Sequence, residues 1–238
     1  MSEPPEPGIV APESARILST LNWLRAGVLG ANDGIVSTAA IIFGVAGASA
    51  TPATIMLAGI AAVAAGAMSM AVGEYVSVSA QRDLEKAELQ REKDELAHDP
   101  EGQLAILTGL FEQRGVTATV AAEVAREMSE KDALSVHARA ELGIDPQNVT
   151  NPWAAALASM LSFLVGGAIP IAALLLSPAA IEIWIAGVAV LIAMALTGFV
   201  SARLGRMPVG RSILRNVMGG LLALAITYGV GKMAGTQI

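Results

Sequence analysis

Gly66-Ala67-Met68-Ser69-Met70-Ala71-Val72-Gly73-Glu74-Tyr75 runs on, with no proline or loop signal, through Val76-Ser77-Val78-Ser79-Ala80 into Gln81-Arg82-Asp83-Leu84-Glu85-Lys86-Ala87-Glu88-Leu89-Gln90-Arg91-Glu92-Lys93-Asp94-Glu95. The first part is too apolar for a soluble surface, and the second is strongly charged. At helical spacing Met70 and Glu74 stand one turn apart. Gln81, Glu85, Glu88, Glu92 and Glu95 prolong roughly the same face in steps of three and four. From Met70 to Glu95 such a helix measures roughly 38 Å, at about 1.5 Å per residue. One element is therefore expected to carry polar ligand atoms from a bilayer into water.

Composition sets the class. Hydrophobic residues make up 54% of the 238, charged ones 15%, and the mean hydropathy is +0.59, values a soluble domain of this size seldom reaches. The apolar residues fall into five blocks, about 22–48, 53–79, 153–176, 180–202 and 212–234. Each can cross about 30 Å of hydrocarbon. Helices satisfy their own backbone groups there, and the blocks lack the alternation of a barrel strand. The expected fold is an all-α membrane protein of five transmembrane helices, with a helical insert between the second and third. The chain divides into an N-terminal tail (1–21), helices one and two (22–80), an acidic insert (81–150) and helices three to five (151–238).

Charge gives the expected orientation. Arg16, Arg25, eight bases within 81–150, and Arg203, Arg206, Arg211 and Arg215 lie on one side, leaving only Lys232 near the other. The links at 48–52 and 177–180 carry no charge. Positive residues stay inside, so the N-terminus and 81–150 are expected in the cytoplasm. The insert holds fifteen acids against those eight bases, a net −7 within a chain of −6. That balance favours cations as partners and argues against nucleic acid and anionic lipid. With no cysteine, any metal must be held by carboxylate, imidazole, thioether or backbone oxygen.

Three regions carry candidate chemistry, and the N-terminal tail is not among them. Residues 1–13 read as disordered and 14–21 as a short interfacial helix; the acidic start lacks the features of a signal peptide. In the first span, Asp33 lies in Gly30-Ala31-Asn32-Asp33-Gly34. An ionisable residue that deep costs about 2.5–3.5 kcal/mol on insertion scales, so it normally faces the bundle or a watery path. The plainer reading is that Asp33 lies at the interface and helps start the helix. In the second span, Gly59, Gly66 and Gly73 recur every seven residues as a stripe for close packing. Met70 alone is commonly filler, but with Glu74 one turn away and Asp33 on the preceding helix it suits Fe(II) or Mn(II).

The insert reads as short amphipathic helices. Asp99-Pro100 ends the long helix. Leu104, Leu107, Leu110 and Phe111 mark a second, stopped at Arg114-Gly115. Thr117 caps a third, with Val120, Val124 and Met128 on its apolar face. In the last piece, about 131–142, His137 and Glu141 stand at i, i+4, where both can reach one ion. Glu88, Glu92 and Glu95 are the further candidate ligands. Against that, Glu88/Arg91 and Arg91/Glu95 are good helical pairs, and a solvated mixed-charge face is the commoner meaning of such a run. Glu182 and the glycines of the later spans read as structural, and no nucleophile or nucleotide-loop pattern is present, so no enzyme is expected.

These features resemble the vacuolar iron transporter family, in a bacterial-type member: Asn32-Asp33-Gly34, Ala65-Gly66-Ala67-Met68-Ser69-Met70 with Gly73-Glu74-Tyr75, and the insert ending in Ala140-Glu141-Leu142-Gly143. The resemblance runs from about residue 16 onward. It implies a homodimer in a membrane, the bacterial inner membrane for such a member. It also implies export of Fe2+, often with Mn2+ or Co2+, from the cytosol in exchange for H+, with no prosthetic group. By position it makes Asp33 and Met70 membrane ligands and Glu92, Glu95 and Glu141 ligands of the insert. Ala62 stands where many relatives have a glutamate, Gln103 and Ile106 where they often have acids, and His137 where they have methionine. A carboxylate such as Asp33 or Glu74 can hold protons or a dication but not both easily, the chemical basis of antiport. The alternative is a membrane-anchored metal sensor or scaffold that transports nothing.

Overall fold

The computed structural model describes residues 12–178 and 180–235, with side chains from 27 onward. The chain is all-α: α1 (Pro12–Gly47), α2 (Pro52–His98), α3 (Pro100–Gln113), α4 (Ala118–His137), a π-helical turn (Ala138–Leu142), α5 (Pro152–Leu175), α6 (Glu182–Leu204) and α7 (Val209–Gly235). Helices α1, α2, α5, α6 and α7 are the five long and apolar enough to cross a membrane, and the other helical elements lie between the second and third of these. The described residues form two compact units, 12–75 with 153–235, and Val76–Pro152. Helix α2 belongs to both.

The first helix starts earlier than its apolar block. A separate helix was expected over 14–21, but residues from Pro12 continue into the span as one helix, because nothing from Glu13 to Arg25 is a glycine or proline. Of the stretch expected to be disordered (1–13), Pro12 and Glu13 belong to this helix, and residues 1–11 lie outside the described residues.

Small residues build the membrane unit. Lipid is as apolar as leucine, so helices in a bilayer associate through close packing rather than escape from water. Gly34 of α1 lies so near α5 that an added Cβ would meet the Phe163 carbonyl and stand 2.9 Å from the Gly167 nitrogen. On α6, Gly198 would put that atom 2.9 Å from the Cα of Ile213 in α7. The glycine stripe of α2 is only partly used. Gly59 packs on Ile42 and Ile171, and Gly66 on Phe163, whereas Gly73 meets nothing within 4 Å among the described residues. Ile35, Ala39, Val190, Ala193, Met194 and Leu224 fill the seam of α1, α6 and α7. A polar clasp ties the same helices, with Thr197 Oγ1 and Asn216 Nδ2 donating to Asn32 Oδ1 at 3.0 and 3.3 Å. Tyr75 and Trp153 stack with ring centres 4.7 Å apart, so the chain leaves and rejoins this unit at adjacent points.

The insert is a smaller unit with an unusual core. Helix α3 is capped by Asp99, whose Oδ1 accepts from the Gly102 N–H at 2.9 Å, and it ends before Gly115 at φ 93. Helix α4 follows Thr117 and breaks at Asp132 (φ −161, ψ 80), whose carboxylate accepts from the Ser135 N–H at 3.1 Å and restarts the helix. The expected apolar face of α4 is not its buried one. Val120, Val124 and Met128 are exposed, while Ala121 and Ala125 are fully buried. Close approach of α3 and α4 favours the alanine face, since larger side chains would hold the helices apart. Leu107 and Ala138 complete the apolar part of this core. Its remaining buried members are polar: Glu92, Gln103, Ser135 and His137.

Candidate metal centre

Glu92 comes from α2, His137 from the end of α4 and Glu141 from the π-helical turn, all within the insert unit. One ligand atom of each lies within 4.8 Å of the others, and among the described residues this is the one such group of three. His137 Nδ1 stands 3.1 Å from Glu92 Oε1 and 3.9 Å from Glu141 Oε2. Ligand atoms bound at about 2.0–2.2 Å to one ion stand roughly 2.8–4.4 Å from each other, depending on the angle between them. Both spacings fall in that range.

Burial separates this group from an ordinary ion pair. The Glu92 and His137 side chains are each 1% exposed, and Glu141 is 33% exposed. Glu92 Oε1 and both ring nitrogens of His137 are buried with no hydrogen-bond partner among the described residues, the short Nδ1–Oε1 approach being poorly directed for a hydrogen bond. Leaving a buried polar atom unpaired costs about 1–3 kcal/mol, and three such atoms gathered at one point suit an occupant there. Two carboxylates and an imidazole suit a borderline dication such as Fe2+, Mn2+ or Zn2+, and the exposed edge at Glu141 leaves room for further ligands.

Local structure explains how these residues meet. In an α-helix His137 and Glu141 share a face, and the wider π turn that follows His137 swings the later side chain while keeping that face. Arg114 donates to the Ala140 carbonyl at 2.7 Å and pins the turn, and Gly143 at φ 68 ends it. The electrostatics are those of a site poised for a cation. Burial pushes the Glu92 carboxyl above the ordinary carboxylate range, and the charges of Glu141 and Glu95 push it further, against a smaller pull from Arg91. Burial holds the His137 imidazole below its usual value, against an opposing effect of Glu141. Burial thus favours the neutral imidazole, which has a lone pair to give, while Glu92 holds its proton to higher pH than an exposed acid and metal must displace it.

The other expected site residues lie apart from this group. Glu88 is engaged by Arg91 at 2.8 Å, and Glu95 by Arg91 at 3.5 Å and by Gln103 Nε2 at 3.2 Å. Asp33 on α1 is half-buried and accepts from the Ser37 hydroxyl at 2.7 Å. Met70 and Glu74 are half-buried on α2. Among the described residues, no third carboxylate or imidazole joins Asp33 or Glu74 in a group of this kind. The sequence reading missed the Asn32–Thr197–Asn216 clasp and the buried, unpartnered hydroxyls of Thr38 and Ser129. No spacing rule joins residues that far apart, and a lone serine or threonine in a helix carries no signal.

Comparison with known proteins bears on the same stretch of chain. A model described as the VIT family matches residues 24–232. A vacuolar iron transporter of Acanthamoeba castellanii is 43% identical over 235 residues, covering 97% of this chain and 85% of that protein. Vacuolar iron transporter homolog 1 of rice (Oryza sativa subsp. japonica) is 36% identical over 218 residues, 90% of this chain and 74% of that protein. The Arabidopsis thaliana protein of the same description is 34% identical over 216 residues, 90% and 84% respectively. These relatives come from an amoeba and from plants, so they give the bacterial-type expectation no support. With the matched residues spanning every apolar helix and the identity sustained across nine-tenths of the chain, this protein belongs to the VIT family.

Proposed function

We propose that the protein is a transporter, not an enzyme, that moves Fe2+, with Mn2+ and Co2+ as further cargo, out of the cytosol in exchange for H+. Divalent-metal transport is supported by membership of the family together with the buried His/Glu cluster. Iron is the first ion to test because the relatives carry it in their names. The observation that carries the reading is the set of buried, unpartnered atoms on Glu92 and His137 beside Glu141.

In this reading Glu92, His137 and Glu141 capture the ion, with Glu88 and Glu95 as acidic neighbours that raise its local concentration. It passes to Asp33, Met70 and Glu74, where protonation of the carboxylates releases metal and deprotonation readmits it. Helix α2 carries both Glu92 and the pair Met70/Glu74, which supports a route along one element. The working unit is a homodimer, with the N-terminus and residues 81–150 cytoplasmic by the distribution of lysine and arginine. An anchored sensor gains nothing from half-buried acids in its membrane helices, which favours transport.

The test is metal uptake by proteoliposomes. Fe2+ flux is expected to accelerate under an opposing pH gradient and to vanish in Asp33→Ala. Flux indifferent to the gradient refutes antiport, and full flux in Asp33→Ala removes that residue from the path.

A further inference from the structure

The link between α6 and α7 carries the opposite charge to the insert. Arg203, Arg206, Arg211 and Arg215 fall within thirteen residues, and no acid occurs from 183 to 238. All four arginines are exposed, and among the described residues none joins an ion pair. Close packing gathers them. An added Cβ on Gly198 of α6 would stand 2.9 Å from the Cα of Ile213 in α7, so the two helices deliver their arginines to one end of the membrane unit.

Orienting a chain in a membrane requires positive charge but no particular backbone. Here the backbone is strained. Helix α6 ends with the Met207 N–H donating to the Ala202 carbonyl at 2.9 Å, which puts Arg206 at the left-handed position just past the cap, φ 50. Glycine is the usual residue there, because an L side chain crowds its own backbone at positive φ. Gly205 stands one position too early, at φ −86. Strained residues of this kind gather at ligand-binding sites. The Arg203 guanidinium lies 5.0 Å from the centre of the Phe199 ring, which steadies its charge at the helix end. Phe199, Met207, Leu214 and Met218 are exposed near the arginines and give them an apolar border.

We propose that the α6–α7 link binds anionic phospholipid headgroups, with these four arginines donating to the headgroup phosphate. Guanidinium forks match phosphate oxygens, and four basic residues at the end of a membrane helix suffice for such a site. The apolar border favours lipid over free phosphate. The position at the ends of two membrane helices favours lipid over an acidic protein segment. Neither the metal centre nor transport enters this assignment.

Native mass spectrometry of the full-length protein in neutral detergent, titrated with phosphatidylglycerol or phosphatidylcholine, tests it. Phosphatidylglycerol is expected to bind more tightly, and to weaken about 5-fold for each arginine removed, so roughly 25-fold in Arg211→Gln/Arg215→Gln. Arg206→Gly is expected to raise the thermal midpoint in phosphatidylcholine nanodiscs by relieving the turn, and still to lose about 5-fold in phosphatidylglycerol affinity. That opposite movement excludes misfolding as the cause. In detergent, phosphatidylglycerol is expected to raise the wild-type midpoint and inorganic phosphate to leave it unchanged. Equal binding of the two lipids, the outcome if acids of the insert already neutralise the link, overturns the proposal. So does a midpoint raised as much by inorganic phosphate, which assigns the arginines to a free anion, or wild-type lipid affinity in both variants.

Discussion

Replacing Glu92 by leucine separates the cost of the site from its use. Without metal, the wild-type insert holds a buried carboxylate with an unpartnered oxygen beside a buried imidazole. Removing that oxygen relieves about 1–3 kcal/mol. Leucine has a similar reach and equal helix propensity, so little is lost elsewhere on α2. Metal-free Glu92→Leu is therefore expected to be more stable in the insert, by roughly 5- to 150-fold in the local opening equilibrium. Metal acts in the opposite direction, favouring the wild type. At a free concentration 100 times Kd, an ion stabilises the wild type by about 2.7 kcal/mol, close to 100-fold. If loss of one ligand of three weakens binding 100-fold, the same concentration gives the variant only about 0.4 kcal/mol. Hydrogen exchange of residues 133–142 in the full-length protein, with and without Mn2+, reads all four states. Faster exchange in the metal-free variant, or metal protection as large as in the wild type, refutes the reasoning.

Four further outcomes follow from the same geometry. Metal affinity should fall on acidification from a pH above the ordinary carboxylate range, because Glu92 is protonated there, and titration calorimetry across pH measures the onset. The sign for folding is opposite: the stability that protonated Glu92 contributes is full below the ordinary carboxylate value and is lost as pH rises through the raised one. Gly34→Ala should lower the thermal midpoint in detergent, by at least the roughly 1–3 kcal/mol of an overpacked core, whereas Gly73→Ala should be neutral or gain up to about 1 kcal/mol. Asn216→Ala should cost about 0.6–1.7 kcal/mol through the lost clasp on Asn32, measured as a lower midpoint.

What could be read from the sequence depended on the range of the interaction. Five apolar blocks bounded by polar links fix the helices of the membrane unit, because the length needed to cross a bilayer is a property of a continuous stretch. The pairing of His137 with Glu141 was legible for the same reason, being four residues apart. The choice among Glu88, Glu92 and Glu95 was not: all three share a face, and only the packing of α4 decides that Glu92 is buried while Arg91 holds the other two. Val120, Val124 and Met128 give a convincing apolar stripe, yet the helix turns its alanines inward, since close contact rewards small side chains that a hydropathy pattern undervalues. The clasp joins Asn32 to Thr197 and Asn216 across more than 160 residues, a pairing only the fold can make.

The central claim is that Glu92, His137 and Glu141 together hold the ion. Anomalous diffraction at the iron or manganese edge from crystals of the full-length protein grown with that metal tests it most directly. The account predicts a peak within coordination distance of Glu92 Oε1, His137 Nδ1 and Glu141 Oε2. Ordered iron or manganese elsewhere in the insert, with these three side chains unchanged and touching no ion, would contradict it.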